Sequence, residues 1–117
     1  MTNAERLPKD WEQRLVSTLA QPDVDRILLF GSRARGDAGA YSDLDIIIVR
    51  RTAVPFLQRL GDAYQRLAEA SLGLGVDVDL LVYTPEEYRR LLAEGNSLVT
   101  LAHREGRLLY EQSPGRG

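Results

Sequence analysis

Cysteine is absent from the 117 residues, which removes disulfides, thiolate metal sites and thiol nucleophiles together. Lysine occurs once, as Lys9 in a polar N-terminal stretch, so covalent catalysis through lysine has one poor candidate. Histidine also occurs once. His103 lies on an expected helix near the C-terminus and reads as a surface or hydrogen-bonded residue ahead of a catalytic one. No apolar run approaches the roughly 20 residues of a membrane span, and the opening "MTNAERLPKDWEQ" is too polar for a signal peptide. A cytoplasmic chain without membrane contact is the reading. The net charge of −2, with arginines scattered along the chain, supplies no field for a polyanion, so direct nucleic-acid binding is not expected.

What is present is the composition of a packed domain: 44% apolar and 27% charged residues, enough to form a core and against disorder. The length suits one domain, read as residues 1–112, with "SPGRG" at 113–117 as a frayed tail. Trp11, Leu15, Val16 and Leu19 recur at helical spacing after Pro8 and stop at "QPD". Residues 24–30, "VDRILLF", are a nearly all-aliphatic run followed by Gly31, as suits a buried strand. "DLDIIIV" is a second strand. Residues 54–72 form the longest expected helix, with Phe56, Leu57, Leu60, Tyr64, Leu67 and Ala68 on its apolar face and Arg59, Asp62, Arg66 and Glu69 on its polar face. "VDVDLLVY", 76–83, is a third strand, and "TPEE" opens a helix with Thr84 at N-cap, Pro85 at N1 and Glu87 at N3. A further helix begins at Asn96 or Ser97, and "GRLLYE" adds a short fourth strand. The pattern is α/β (α+β): a small mixed sheet with helices packed on it.

Chemistry concentrates in "GSRARGDAGAYSDLDIIIV", 31–49. Residues two apart on a strand share a face, so Asp43 and Asp45 project together. Neighbouring carboxylates repel, and a hard divalent cation with oxygen ligands relieves them. Asp77 and Asp79 repeat the pattern on the third strand; if the two strands adjoin, three or four carboxylates meet on one patch able to hold one or two Mg²⁺ ions against a phosphate. Upstream, Gly31 and Ser32 end a strand and start a turn whose free amides and hydroxyl suit phosphate oxygens. Arg33 and Arg35 add cationic donors, and Ser42 caps or orients the loop before Asp43. Arg50 and Arg51 read as a solvated strand end. A P-loop NTPase is a poor reading because "GSRARG" lacks the lysine followed by serine or threonine.

Gly-Ser, ten residues and then Asp-x-Asp in an apolar strand resembles the signature of the DNA polymerase β-like nucleotidyltransferase superfamily. "ARG" at 34–36, "SD" at 42–43 and the closing "REGRLLYE" resemble its minimal branch, the MNT domains. The resemblance implies a polymerase β-like nucleotidyltransferase fold in which Asp43 and Asp45 bind Mg²⁺ and Asp79, before "LLVYTPEE", completes the metal and catalytic set, with Asp77 in reserve. It implies that the Gly31-Ser32 turn grips the β and γ phosphates of the nucleotide; with Arg33, Arg35 and Ser42, read from their chemistry and place, this turn makes the candidate nucleotide-binding set. The implied reaction is transfer of a nucleoside monophosphate, AMP from ATP above all, to an acceptor hydroxyl with release of pyrophosphate. The implied partner is a small helical HEPN-domain protein, often an RNase toxin, with a partner tyrosine as one acceptor. A non-catalytic antitoxin that silences such a partner by docking is the competing function, and association with a second copy is left open by the apolar helix faces.

Overall fold

The computed structural model describes residues 7–39 and 42–112, so the expected tail at 113–117 and Tyr41 of the signature loop lie outside the described residues. Helix α1 is Trp11–Leu19, followed by strand β1, Val24–Phe30, and a single helical turn, α2, Ser32–Arg35. Strand β2 is Leu44–Arg50, helix α3 Phe56–Ala70 and strand β3 Val78–Tyr83. Helices α4, Pro85–Ala93, and α5, Ser97–Glu105, precede strand β4, Arg107–Glu111. The four strands make one mixed sheet in the order β3-β2-β1-β4. β1 is antiparallel to both β2 and β4, whereas β2 and β3 run parallel, joined across the sheet by α3. The mixed sheet with packed helices is the architecture that the polymerase β-like resemblance implies.

β2 is aliphatic along almost its whole length because it is covered on both faces. Leu44, Ile46 and Ile48 join Leu15 and Leu19 of α1 in one core layer, with Leu60, Ala63 and Leu67 of α3 packed against it. Ile47 and Val49 point the other way, into a second layer with Tyr88 of α4 and with Val99 and Ala102 of α5. Burying such a side chain stabilises by about 1.5–3 kcal/mol. The same alternation places Asp45 on the face of Ile47 and Val49. These two are buried while Asp45 is not, so the helical cover ends before the aspartate end of the sheet is reached.

Local chemistry sets the helix ends. Thr84 Oγ1 accepts from Glu87 N at 3.1 Å and Glu87 Oε1 accepts from Thr84 N at 2.9 Å, so the expected capping box is complete, with Pro85 behind it. Asn96, the first of the two residues considered, caps α5 by accepting from Val99 N at 3.0 Å.

The polar and apolar faces expected for α3 need correction. Arg59 is buried, at 5% exposure, and Leu57 stands 78% exposed. The stripe that meets the sheet runs through 56, 59, 60, 63 and 67, and at 59 it meets acceptors instead of hydrocarbon. Arg59 Nη1 donates to Glu87 Oε1 at 2.6 Å and to Val82 O at 3.2 Å, and its Nε donates to Val54 O at 3.0 Å. Glu87 therefore caps α4 and neutralises Arg59 at once, and that hydrogen bond, first among several causes, lowers its pKa below the ordinary 4.5. Arg50 and Arg51 are likewise engaged within the fold: their Nε atoms pair with Asp23 and Asp25 at 2.8 and 2.6 Å, tying the end of β2 to the start of β1. His103 is hydrogen-bonded as expected, its Nδ1 lying 3.1 Å from the Tyr88 hydroxyl.

Candidate active site

The aspartate end of the sheet is built by strand register. Asp45 stands opposite Asp79 across the parallel β2/β3 pair and opposite Phe30 across the antiparallel β1/β2 pair. Adjacent strands are about 4.8 Å apart, so the carboxylates of Asp45 and Asp79 rise side by side from one face. Asp43 lies just before β2, two residues ahead of Asp45, and is exposed at that end of the strand. Asp77 lies just before β3, where its carbonyl accepts from Leu44 N at 2.9 Å.

The electrostatics follow this placement. Asp45 has its pKa raised above the ordinary 3.8 by burial first, then by the negative charges of Asp79 and Asp43. Asp79 and Asp43 thus both act on Asp45, which lies between Phe30 and Asp79 in the sheet. Oxygen donors crowded in this way suit a hard divalent cation. Among the described residues no three His, Asp or Glu side chains stand together as a ready cage for a metal ion.

The turn after β1 presses on the same carboxylate. Gly31 has φ 78° and ψ −160°, a region essentially restricted to glycine. A Cβ built there would fall on Asp45 Oδ2, with Asp45 Cγ 3.3 Å away. The backbone of the Gly-Ser turn and the Asp45 carboxylate are thus in direct apposition, although fourteen positions separate them. Within the turn, Gly31 O accepts from Ala34 N and Arg35 N, both at 3.1 Å, and Ser32 O accepts from Gly36 N at 3.0 Å and Asp37 N at 3.1 Å. Amides at the first positions of such a turn have no partners within it.

The remaining candidates sit in or beside the loop from α2 to β2. Arg33 Nε donates to Ser42 O at 3.0 Å and its Nη2 to Gly39 O at 3.4 Å, so this guanidinium grips both described ends of the loop. Ser42 Oγ accepts from Gly39 N at 3.0 Å, closing the turn ahead of Asp43. Arg35 is exposed and pairs with Asp37 at 3.3 Å. The structure sets Gly31 against Asp45 and Asp79 beside Asp45 in register, leaves Asp43 exposed two residues before Asp45, holds Arg33 and Ser42 in loop-bracing bonds, and leaves Arg35 at the surface. Phe30, the apolar wall beside Asp45, was missed from sequence, although it is the last strand residue before Gly31 and an antiparallel return places that residue beside an early residue of the next strand.

A family described as "Nucleotidyltransferase domain" matches residues 12–87, from α1 to the first turn of α4. The chain belongs to the nucleotidyltransferase family. Every carboxylate and turn residue described above falls inside the matched span, as does the Arg59–Glu87 pair. This nucleotidyltransferase is 35% identical over 89 residues, 72% of the chain and 75% of the relative, to "Probable protein adenylyltransferase MntA" of Haemophilus influenzae. Among solved structures it is similar to a chain in the crystal structure of a toxin-antitoxin with AMP-PNP, at 25% identity and a TM-score of 0.59, covering 87% of this chain and 74% of that one. A mutant of the toxin-antitoxin MntA-HpeT is similar at 25% identity and a TM-score of 0.54, over 92% of this chain and 75% of that one. The expected minimal nucleotidyltransferase is thereby established as the family of this chain, and with it an enzyme of the nucleotidyltransferase class. No helix among the described residues is long and apolar enough to cross a membrane.

Proposed function

We propose that this nucleotidyltransferase is a Mg²⁺-dependent protein adenylyltransferase that moves AMP from ATP to a hydroxyl on a HEPN-type toxin partner, a tyrosine being the acceptor. The observation that carries the reading is the opposition of Asp45 and Asp79 in register, with the Gly31 turn held directly against Asp45. The name of the Haemophilus relative supports adenylyl transfer to protein, and AMP-PNP in the related toxin-antitoxin crystal supports ATP as donor.

The donor set fits Mg²⁺. That ion keeps several waters and takes one or two carboxylates together with substrate phosphates, so it has no need of a cage made by protein alone. Asp43, Asp45 and Asp79 would hold it, and it would supply charge neutralisation between nucleotide and acceptor oxygens. The raised proton affinity of Asp45 means that cation binding competes with a proton at this carboxylate and strengthens as the pH rises.

The chain's own residues then divide the work. Gly31 lets the backbone approach the triphosphate without a side chain in the way, and Ser32 offers a hydroxyl beside the leading amides of the turn. Arg33 and Ser42 fix the loop that delivers Asp43, and Arg35, exposed and paired with Asp37, is the further cation of that turn. Asp79 accepts the proton of the acceptor hydroxyl as its oxygen bonds to the α-phosphorus, and the bond from that phosphorus to the bridging oxygen breaks to release pyrophosphate.

The test incubates the protein with α-labelled ATP, Mg²⁺ and a HEPN-type partner, comparing wild type with Asp43→Asn. Label on the partner with wild type, lost in the variant, is the expected result. Inhibition of the partner without any label transfer would reject the enzymatic reading and leave docking alone.

A further inference from the structure

The Asp79 carboxylate has no hydrogen bond or ion pair among the described residues, so its direction depends on the backbone that carries it. β3 is an edge strand, paired only with β2, and the outward amides of an edge strand have no sheet partner. One of them is nevertheless taken: Leu80 N donates to the Tyr64 hydroxyl at 2.8 Å, from β3 to α3. That amide belongs to the Asp79–Leu80 peptide. The chain has no cis peptide among its described residues, and in a planar trans peptide the carbonyl points opposite to the N–H. With Leu80 N–H turned outward to α3, Asp79 O is turned inward to β2. The inward carbonyl of Asp77, bonded to Leu44 N, agrees with this by the two-residue period of the strand. The peptide that immediately follows the Asp79 Cα is thus gripped from both sides.

Tyr64 is poorly placed to serve only as core filler. It is 39% exposed, and the α3 side chains packed against the core layer are Leu60, Ala63 and Leu67. We infer that Tyr64 is a positioning residue for Asp79: its hydroxyl fixes the Asp79–Leu80 peptide so that the Asp79 carboxylate stands against Asp45, an inference resting on the proposed role of Asp79 in the metal site.

The experiment compares isotopically labelled wild type and Tyr64→Phe, which keeps the ring and removes only the oxygen. Amide exchange of Leu80 and the carboxylate carbon resonance of Asp79 are followed while Mg²⁺ is titrated in the presence of AMP-PNP. In wild type, Leu80 exchanges as slowly as amides within the sheet, and the Asp79 resonance responds to Mg²⁺. In Tyr64→Phe, Leu80 exchanges about tenfold faster, as loss of one hydrogen bond allows, and the Asp79 response moves to about fivefold higher Mg²⁺. Faster exchange with an unaltered Asp79 response would reduce Tyr64 to an edge cap and overturn the inference, as would an unprotected Leu80 amide in wild type. Failure of the underlying reading looks different: the wild-type Asp79 resonance then ignores Mg²⁺ altogether, and the inference falls with it.

Discussion

Replacing Gly31 by alanine should destabilise the protein through two separate causes. The backbone at φ 78° and ψ −160° strains any residue with a Cβ by about 1–3 kcal/mol. The new methyl group also falls on Asp45 Oδ2, with Asp45 Cγ 3.3 Å away, and forcing that carboxylate off its rotamer adds about 0.5–1.5 kcal/mol. Together these come to about 1.5–4.5 kcal/mol. For a domain of this size that is a fall in Tm of roughly 6–18 °C. Gly36 is the control, because at φ 85° and ψ 10° a Cβ there has nothing within 4 Å. Gly36→Ala therefore carries backbone strain alone, about 1–2 kcal/mol. Thermal unfolding followed by circular dichroism compares the two variants and repeats Gly31→Ala in an Asp45→Ala background. Removing the carboxylate should return the contact part of the cost, a coupling of about 0.5–1.5 kcal/mol. If Gly31→Ala melts no lower than Gly36→Ala, or costs the same with Asp45 removed, the apposition of turn and carboxylate is refuted.

Asp45→Asn should raise stability at neutral pH while abolishing transfer. The folded state binds the Asp45 proton more tightly than the unfolded chain, because the pKa is raised above 3.8. Wild-type stability from this group is therefore lowest above the raised pKa and recovers as pH falls through it. Denaturant midpoints should show the advantage of the variant shrinking to nothing below pH 3.8, and an advantage that grows in acid would contradict the sign. Glu87→Ala should cost about 3–5 kcal/mol by leaving the Arg59 guanidinium buried without its anion, toward the lower end because the Glu87 side chain is 28% exposed. The Arg59–Glu87 contribution should be complete above pH 4.5 and lost as pH falls through the lowered pKa. Urea titration over that range measures both effects, and a loss well under 1 kcal/mol would show the pair to be solvent-screened.

Local features of the fold were legible in the sequence. The β1 run, the complete capping box at Thr84 and Glu87 and the Asn96 cap each depend on a few adjacent residues, and each formed where the residues indicate. Arg59 was not legible, because a helical stripe assigns charge to solvent unless an anion from elsewhere is known, and Glu87 arrives from 28 positions away. The acidic patch was legible in part. Alternation alone puts Asp43 and Asp45 on one face, but their meeting with Asp79 depends on β3 lying parallel beside β2 in a register that only the crossover through α3 establishes. Arg33 shows the reverse limit. Its residue type suggests an anion, while the folded loop presents it with the carbonyls of Gly39 and Ser42.

The most direct measurement is calorimetric binding of AMP-PNP with and without Mg²⁺, for wild type and for Asp43→Asn, Asp45→Asn and Asp79→Asn. If carboxylates from β2 and β3 share a cation in front of the triphosphate, Mg²⁺ tightens nucleotide binding to wild type and each variant loses that increment. Nucleotide binding indifferent to Mg²⁺, or an increment that survives Asp45→Asn, would contradict it.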